Sequence, residues 1–295
     1  MSFAIYFLLI CSMFAVSTSP LIARHLSHLD PIAISFWRMF IGAVILHIYG
    51  FFSNGPKIIS TQNSFKTIYA GILLGLHFAL FYGAIALLPN NIVNATVFGT
   101  LAPLFALMVE IYFGRKISVN LIIGLFIVLI GSFIMFVFDF SFDSDLTKGN
   151  ILAILCSICF AFVFILSEKV RKVDSSLIFS KFLFTYAAVT ILVIAIFFGV
   201  NLFQFSIHDF WFLLFLGIVP TIIGHSVFYY LVKYFRPTVV ASIPLGEPFI
   251  ASALAYFIFP PQIINEYFIL GGIITLSGLF IIIQTKKNVK NYYNH

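Results

Sequence analysis

Charge is scarce in this chain. Of 295 residues, 16 are Lys or Arg and 10 are Asp or Glu, 9% of the total. A soluble domain of this size cannot cover itself with so few charges, because charged side chains belong almost wholly to water-facing surface. Cysteine is scarce as well. Cys11, Cys156 and Cys159 all fall in apolar runs, which excludes a disulfide framework. Cys156 and Cys159 form a CxxC, but a zinc site needs two further ligands and none follows nearby, so all three read as small buried thiols and no metal is expected. The chain also lacks a phosphate-cradling Gly-rich loop and an HExxH, and no aspartate lies inside an apolar run. These absences exclude direct use of ATP and the common intramembrane hydrolases. The expected cofactors are none.

What is present is apolar length. Hydrophobic residues make up 62% of the chain, with 39 Phe among them. Ten apolar runs follow one another, at about 3–23, 31–52, 67–88, 92–113, 118–138, 149–167, 176–199, 210–232, 238–259 and 267–284. Each is near the ~20 residues that span ~30 Å of hydrocarbon as a helix. The predicted class is an all-α membrane protein with ten transmembrane helices. No Lys or Arg precedes the first run and no small-x-small cleavage site follows it, so it reads as a retained helix rather than a signal peptide.

Lys and Arg give the orientation. With the N-terminus cytoplasmic, the inner segments hold Lys57, Lys66, Arg115, Lys116, Lys169, Arg171, Lys172, Lys233, Arg236, Lys286, Lys287 and Lys290. The outer segments hold Arg24 and Lys148, and Arg38 and Lys181 lie inside helices. Both termini are therefore expected in the cytoplasm. The net charge of +6 is a topology signal and not a nucleic-acid footprint. The basic tail, Lys286–Lys290, is expected to fix topology and touch anionic lipid headgroups.

The chain repeats itself. Ile10–Phe14 resembles Leu155–Cys159, His77–Tyr82 resembles His225–Tyr230, and Pro103–Ala106 resembles Pro248–Ala251. Gly124 and Gly131 recur as Gly271 and Gly278. The offsets stay between 145 and 148. The expected organisation is two five-helix repeats, 1–145 and 146–295, in a single membrane domain. Five is odd, so the second repeat enters from the opposite side. Inverted repeats put a site near midplane and alternate its access by rocking one half against the other.

The stretch Ser242-Ile-Pro-Leu-Gly-Glu-Pro-Phe-Ile-Ala251 sits at the middle of the ninth run. A carboxylate at that depth costs about 2.5 kcal/mol or more, so Glu247 is expected to face protein or a wet cavity. Pro244 and Pro248 each free a carbonyl one turn earlier, and Pro103 is the counterpart in the fourth helix. These three are the expected helix-break or gating positions. Arg38, about seven residues into the second helix, either grips an anionic group of a ligand or pairs with Glu247 or helix-end carbonyls. His77 and His225 recur between the halves, and either relay protons or pack by hydrogen bonds. Trp37, Tyr82, Tyr229 and Tyr230 offer flat amphipathic walls. The candidate binding residues are Arg38, Trp37, His77, Tyr82, His225, Tyr229 and Glu247. Lys181, five residues into the seventh helix, is expected to snorkel. Glu110 is expected to face Arg115 or Lys116 and water.

This set is similar to the drug/metabolite transporter superfamily, and within it to the ten-helix EamA family. The resemblance rests on Ser35-Phe-Trp-Arg38, Leu87-Leu-Pro89, Pro103, the Gly124/Gly131 pair, Gly149-Asn-Ile-Leu-Ala153 and Glu247-Pro248. The family's usual Gly-Glu after the fourth and ninth helices reads here Gly114-Arg115 and Phe259-Pro-Pro-Gln262, so the substrate cannot be borrowed from a better-known member. The resemblance implies a secondary active transporter of the bacterial inner membrane, not an enzyme. It would move a small polar metabolite, an amino acid or related zwitterion, outward by alternating access. Proton coupling through Glu247 is part of this expectation. The alternative is uptake or exchange of a nucleotide-like or phosphorylated metabolite such as S-adenosylmethionine. The expected partners are that small-molecule substrate and membrane lipid, with no nucleic acid, and the oligomeric state stays open.

Overall fold

The structure, a computed structural model, describes residues 3–53, 57–88, 92–136, 144–258 and 266–285. Pro89, the Phe259–Gln262 stretch and the Lys286–Lys290 tail lie outside the described residues. Among the described residues every regular element is a helix. Ten helical spans follow the ten apolar runs. They are α1 (Phe3–His25), α2 (Pro31–Phe52), α3 (Thr61–Leu87), α4 (Ile92–Gly99 and Ala102–Tyr112), α5 (Val119–Phe136), α6 (Ser144–Val170), α7 (Ser176–Phe198), α8 (Ile207–Leu231), α9 (Pro237–Ile258) and α10 (Glu266–Ile283). All but α5 have a stretch long and apolar enough to cross a membrane, and α5 is a shorter apolar helix.

Local chemistry sets the ends. Asp30 caps α2 by accepting from the Ile32 N–H at 2.8 Å, with Pro31 pre-set in the first turn. Ser206 and Asp209 close a reciprocal capping box on α8. α7 ends on Gly199, whose φ of 66° is the left-handed stop. α3 begins six residues before its apolar run. There Asp174 accepts from the Ser60 backbone, the Ser60 hydroxyl and the Asn63 amide, tying the polar first turn to the α6–α7 loop.

The helices pair across the halves. α5 packs on α10, α3 on α6 and α7, α2 on α7, α1 on α8, and α4 on α9. The α5–α10 seam shows how the repeats are related. A Cβ on Gly124 would stand 3.0 Å from the Gly278 carbonyl oxygen, and one on Gly131 would stand 2.6 Å from that of Gly271. Gly124 corresponds in sequence to Gly271, yet it meets Gly278. Equivalent helices therefore run antiparallel and meet by reciprocal contact, as a two-fold axis in the membrane plane requires. The small residues let the two backbones touch.

Four spans depart from regular α-helix near their middles. α1 turns at Thr18 beside Pro20. α4 breaks between Gly99 and Ala102, ahead of Pro103. α9 tightens to a 3₁₀ turn over Ile243–Gly246. α8 widens to a π-helix over Gly217–His225 around Pro220. The α4 and α9 breaks fall at positions related by the repeat, because Pro103 and Pro248 stand at equivalent places.

Candidate functional site

The four irregular segments converge on one small cavity. Its wall includes Ser19 of α1, Arg38 of α2, His77, Phe78 and Phe81 of α3, and Gly99 and Thr100 of α4. Phe160 of α6, His225 and Phe228 of α8, and Pro244 and Glu247 of α9 complete it. Its free volume is about 20 Å³, enough for a water molecule and no metabolite. A larger hollow of about 450 Å³, lined by Leu8, Ile45, Leu177, Ile222 and Tyr230 among others, has no charged side chain in its wall.

Arg38 is 1% exposed and held on three sides by hydroxyls. Its Nε donates to Thr221 Oγ1 at 2.9 Å, and its Nη1 donates to Ser19 Oγ at 2.6 Å and to the Tyr82 hydroxyl at 2.9 Å. The guanidinium lies over the Phe78 ring, 4.2 Å from its centroid. Among the described residues its Nη2 has no hydrogen-bond partner. Neutral hydroxyls thus orient the guanidinium fork.

The α8 distortion accounts for one of these bonds. Pro220 has no N–H to give the Leu216 carbonyl, and Thr221 Oγ1 donates to that carbonyl instead, at 2.8 Å. With its proton committed there, the Thr221 oxygen presents lone pairs to Arg38. Stretches of π-helix inside α-helices recur at functional sites.

His77 is buried, stacks on Phe160 at 4.2 Å, and has Nδ1 at 3.0 Å from the Cys156 carbonyl oxygen and 3.1 Å from Cys156 Sγ. A carbonyl only accepts, so Nδ1 carries the proton and Nε2 is an acceptor. His225 approaches Phe78 and Phe160 with centroids at 5.2 and 5.4 Å, and its Nδ1 has no hydrogen-bond partner among the described residues. Glu247 is 7% exposed, at the first residue of the helix following the 3₁₀ turn. Among the described residues no ion pair within 4.0 Å joins it to Arg38.

Of the candidate binding residues, Arg38, His77, His225 and Glu247 meet at the cavity, and Tyr82 stands behind Arg38 as a hydrogen-bond partner. Tyr229 is buried behind His225, with ring centroids 6.5 Å apart, among Phe164, Phe179 and Phe184. Trp37 lies apart from the cavity. Its Nε1 donates to the Leu202 carbonyl at 2.6 Å and its ring packs on Phe40, Phe203 and Phe205, pinning α2 to the α7–α8 loop. Pro244 lines the cavity, whereas Pro103 and Pro248 shape the breaks beside it. Lys181 Nζ donates to the Lys57 carbonyl at 2.7 Å, away from the cavity.

Sequence reasoning passed over Ser19, Gly99, Thr100, Phe160, Pro220 and Thr221. The usable signal was a small polar residue beside a proline inside an apolar run, Ser19-Pro20 and Pro220-Thr221. Glu110 also differs from expectation. It is 1% exposed rather than facing water, and pairs with Arg115 and Arg236, each at 3.5 Å. Arg115 also reaches Glu168, at 2.8 Å. This cluster ties the second half of α4 to α6 and to the start of α9.

Comparison with known proteins agrees with this architecture. A protein of known crystal structure superposes over 97% of this chain and 99% of its own length, with a TM-score of 0.78 at 15% identity, which is a likeness of fold. An uncharacterized transporter of Archaeoglobus fulgidus is 25% identical over 196 residues, covering 66% of this chain and 68% of that protein. The sequence pattern of the EamA-like transporter family matches twice, at residues 3–137 and 147–284, once over each five-helix half. This ten-helix membrane protein, with its doubled pattern, belongs to the EamA-like transporter family.

Proposed function

We propose that the protein is a secondary active transporter of a small zwitterionic metabolite, an amino acid or close relative, and that it works by alternating access. One observation carries this reading. The Arg38 guanidinium, whose Nη2 has no hydrogen-bond partner among the described residues, and the Glu247 carboxyl line one buried cavity with no ion pair within 4.0 Å between them. A basic and an acidic group at one cavity suit a ligand that carries groups of both kinds. The cavity is too small for such a ligand, so transport requires the halves 1–145 and 146–295 to rock apart on one side and then the other.

Export is the direction we favour, from the resemblance to exporters of amino acids and related metabolites. The location is the bacterial inner membrane with both termini in the cytoplasm, supported by the Lys and Arg distribution. Coupling is assigned to Glu247, where a proton and the substrate's cationic group compete for one carboxylate. A phosphorylated or nucleotide-like substrate would ask for a second cation beside Arg38, and the Lys181 bond to the Lys57 carbonyl speaks against that alternative.

The test is uptake into proteoliposomes of a labelled pool of neutral and acidic amino acids, S-adenosylmethionine and sugar phosphates, for wild type and Arg38→Ala. The expected result is accumulation of a zwitterion that Arg38→Ala abolishes in a folded protein. Transport that survives Arg38→Ala would make Arg38 scaffold and overturn the site.

A further inference from the structure

Away from the charged cavity, a hollow of about 390 Å³ runs along the seam between α2 and α7. Phe40, Val44, His47, Ile48, Thr185 and Val189 are among its lining residues, and its wall holds no Lys, Arg, Asp or Glu. Phe40, Val44, Ile48 and Val189 are 38–56% exposed, so this is a groove on the outside of the helix bundle, facing the bilayer. On α2 it extends from Phe36 to Ile48. That is about 18 Å at 1.5 Å per residue, close to the half of ~30 Å of hydrocarbon that one leaflet supplies. At one end His47 Nε2 lies 3.0 Å from Thr185 Oγ1, joining α2 to α7. One turn further along α7 stands Lys181. A Cβ on Gly50 would lie 3.7 Å from Lys181 Cδ and 3.8 Å from its Nζ, so this side chain runs against the last turn of α2. Its Nζ donates to the Lys57 carbonyl at 2.7 Å, and Lys57 Nζ in turn donates to the Phe51 carbonyl at 3.4 Å. Both ammonium groups therefore sit at the last turn of α2, and each of these bonds uses one of an ammonium's three N–H donors. Among the described residues no ion pair within 4.0 Å joins either lysine to a carboxylate. By the Lys and Arg distribution this is the cytoplasmic end of the groove.

We propose that this groove, with Lys57 and Lys181 at its end, is a binding site for one anionic phospholipid of the cytoplasmic leaflet. An acyl chain lies along the α2–α7 groove and the phosphate meets the two lysines. Two observations select this occupant. The groove is apolar and one leaflet deep, which fits a lipid chain and not a soluble anion. The charge at its end is positive, which favours an anionic headgroup over a zwitterionic one that brings a cation of its own. α2 belongs to the first half of the chain and α7 to the second, so the bound lipid bridges the two halves along their shared seam. The site is independent of which substrate the central cavity takes.

The experiment is thermal unfolding of the full-length protein in a neutral detergent, titrated with dioleoylphosphatidylglycerol, dioleoylphosphatidylcholine or inorganic phosphate. Phosphatidylglycerol is expected to raise the unfolding midpoint at concentrations at least about tenfold below those phosphatidylcholine needs, and phosphate is expected to have no effect. The double variant Lys57→Gln/Lys181→Gln should remove that preference. Lys57→Gln alone, at an exposed loop position that folding does not depend on, should reduce it. Val189→Trp, which fills the groove from its exposed rim, should weaken the phosphatidylglycerol response while both lysines remain. Lys172→Gln/Lys233→Gln removes the same charge from exposed positions away from the groove and should keep the wild-type response. Equal responses to the two lipids in the wild type would overturn the site, as would a phosphate response matching that to phosphatidylglycerol. A preference unchanged by the Lys57 and Lys181 substitutions, lost equally in Lys172→Gln/Lys233→Gln, or untouched by Val189→Trp would overturn it too.

Discussion

At the scale of single residues, the governing fact is that Arg38 is held by hydroxyls and not by a carboxylate. Hydrogen bonds to a charged group contribute about 1.5–3 kcal/mol each, more than neutral ones. Arg38→Lys keeps the charge but has neither the planar fork nor its reach to Thr221, Ser19 and Tyr82 together. Initial transport rates in proteoliposomes should fall at least about tenfold for Arg38→Lys, and further for Arg38→Ala. A lysine variant at wild-type rate would mean that only the charge matters. Glu247→Gln keeps the shape and removes the exchangeable proton. Transport measured across an imposed pH gradient should then lose its dependence on that gradient, and a gradient response of wild-type size would remove Glu247 from the coupling step.

At the scale of elements, irregular backbone is what aims the side chains. The π turn of α8 exists because Pro220 leaves the Leu216 carbonyl to Thr221. Pro220→Ala restores the N–H and favours ordinary α geometry, which rotates Thr221 and His225 relative to the cavity. The expected signature is a split: the unfolding temperature rises while transport falls, as when a strained functional segment is regularised. The α5–α10 seam makes the opposite case. A Cβ on Gly131 would lie 2.5 Å from the Thr275 backbone nitrogen, where nothing flexible can give. Gly131→Ala and Gly271→Ala should each cost about 1–3 kcal/mol, seen as comparable losses in unfolding midpoint. Similar losses at these two positions are what the reciprocal contact demands.

At the scale of the whole molecule, the two halves enclose the charged cavity from both sides, and a buried ion cluster joins them. Glu110, Arg115, Glu168 and Arg236 bind α4 of the first half to α6 and α9 of the second, and Glu110 and Glu168 are almost fully buried. Breaking up a buried ion cluster is costly where a charge loses its partner, up to about 3–5 kcal/mol. On the alternating-access reading proposed above, opening at this end separates these groups, and Glu168→Gln should ease it. Cys156, buried behind the cavity-lining His77 with its Sγ 3.1 Å from His77 Nδ1, is a native reporter. Labelling of Cys156 by a membrane-impermeant thiol reagent supplied from this end, read by mass spectrometry, should accelerate severalfold in Glu168→Gln. Unchanged labelling would make the cluster a static brace.

How much of this was legible in the sequence follows from the range of each interaction. Apolar run length and the proline and glycine positions report on segments of one to twenty residues. They sufficed for ten helices and for the doubled pattern that the family match reproduces. Arg38, His77, His225 and Glu247 were legible as well, since a polar group in a long apolar run has few places to go. The sequence could not say which face of a helix each residue takes. Trp37 adjoins Arg38 in the chain but points to the α7–α8 loop, because successive helical residues lie about 100° apart and packing alone selects the inward one. Nor could it say that Arg38 would find Ser19, Tyr82 and Thr221 rather than Glu247. That choice was made by the α1 turn and the α8 π segment, which bring three hydroxyls from three helices to one guanidinium. The sequence alone determined the membrane class, the helix count and the inverted doubling. Tertiary packing decided which side chains share the cavity, because only the folded chain brings hydroxyls from three helices to the Arg38 guanidinium.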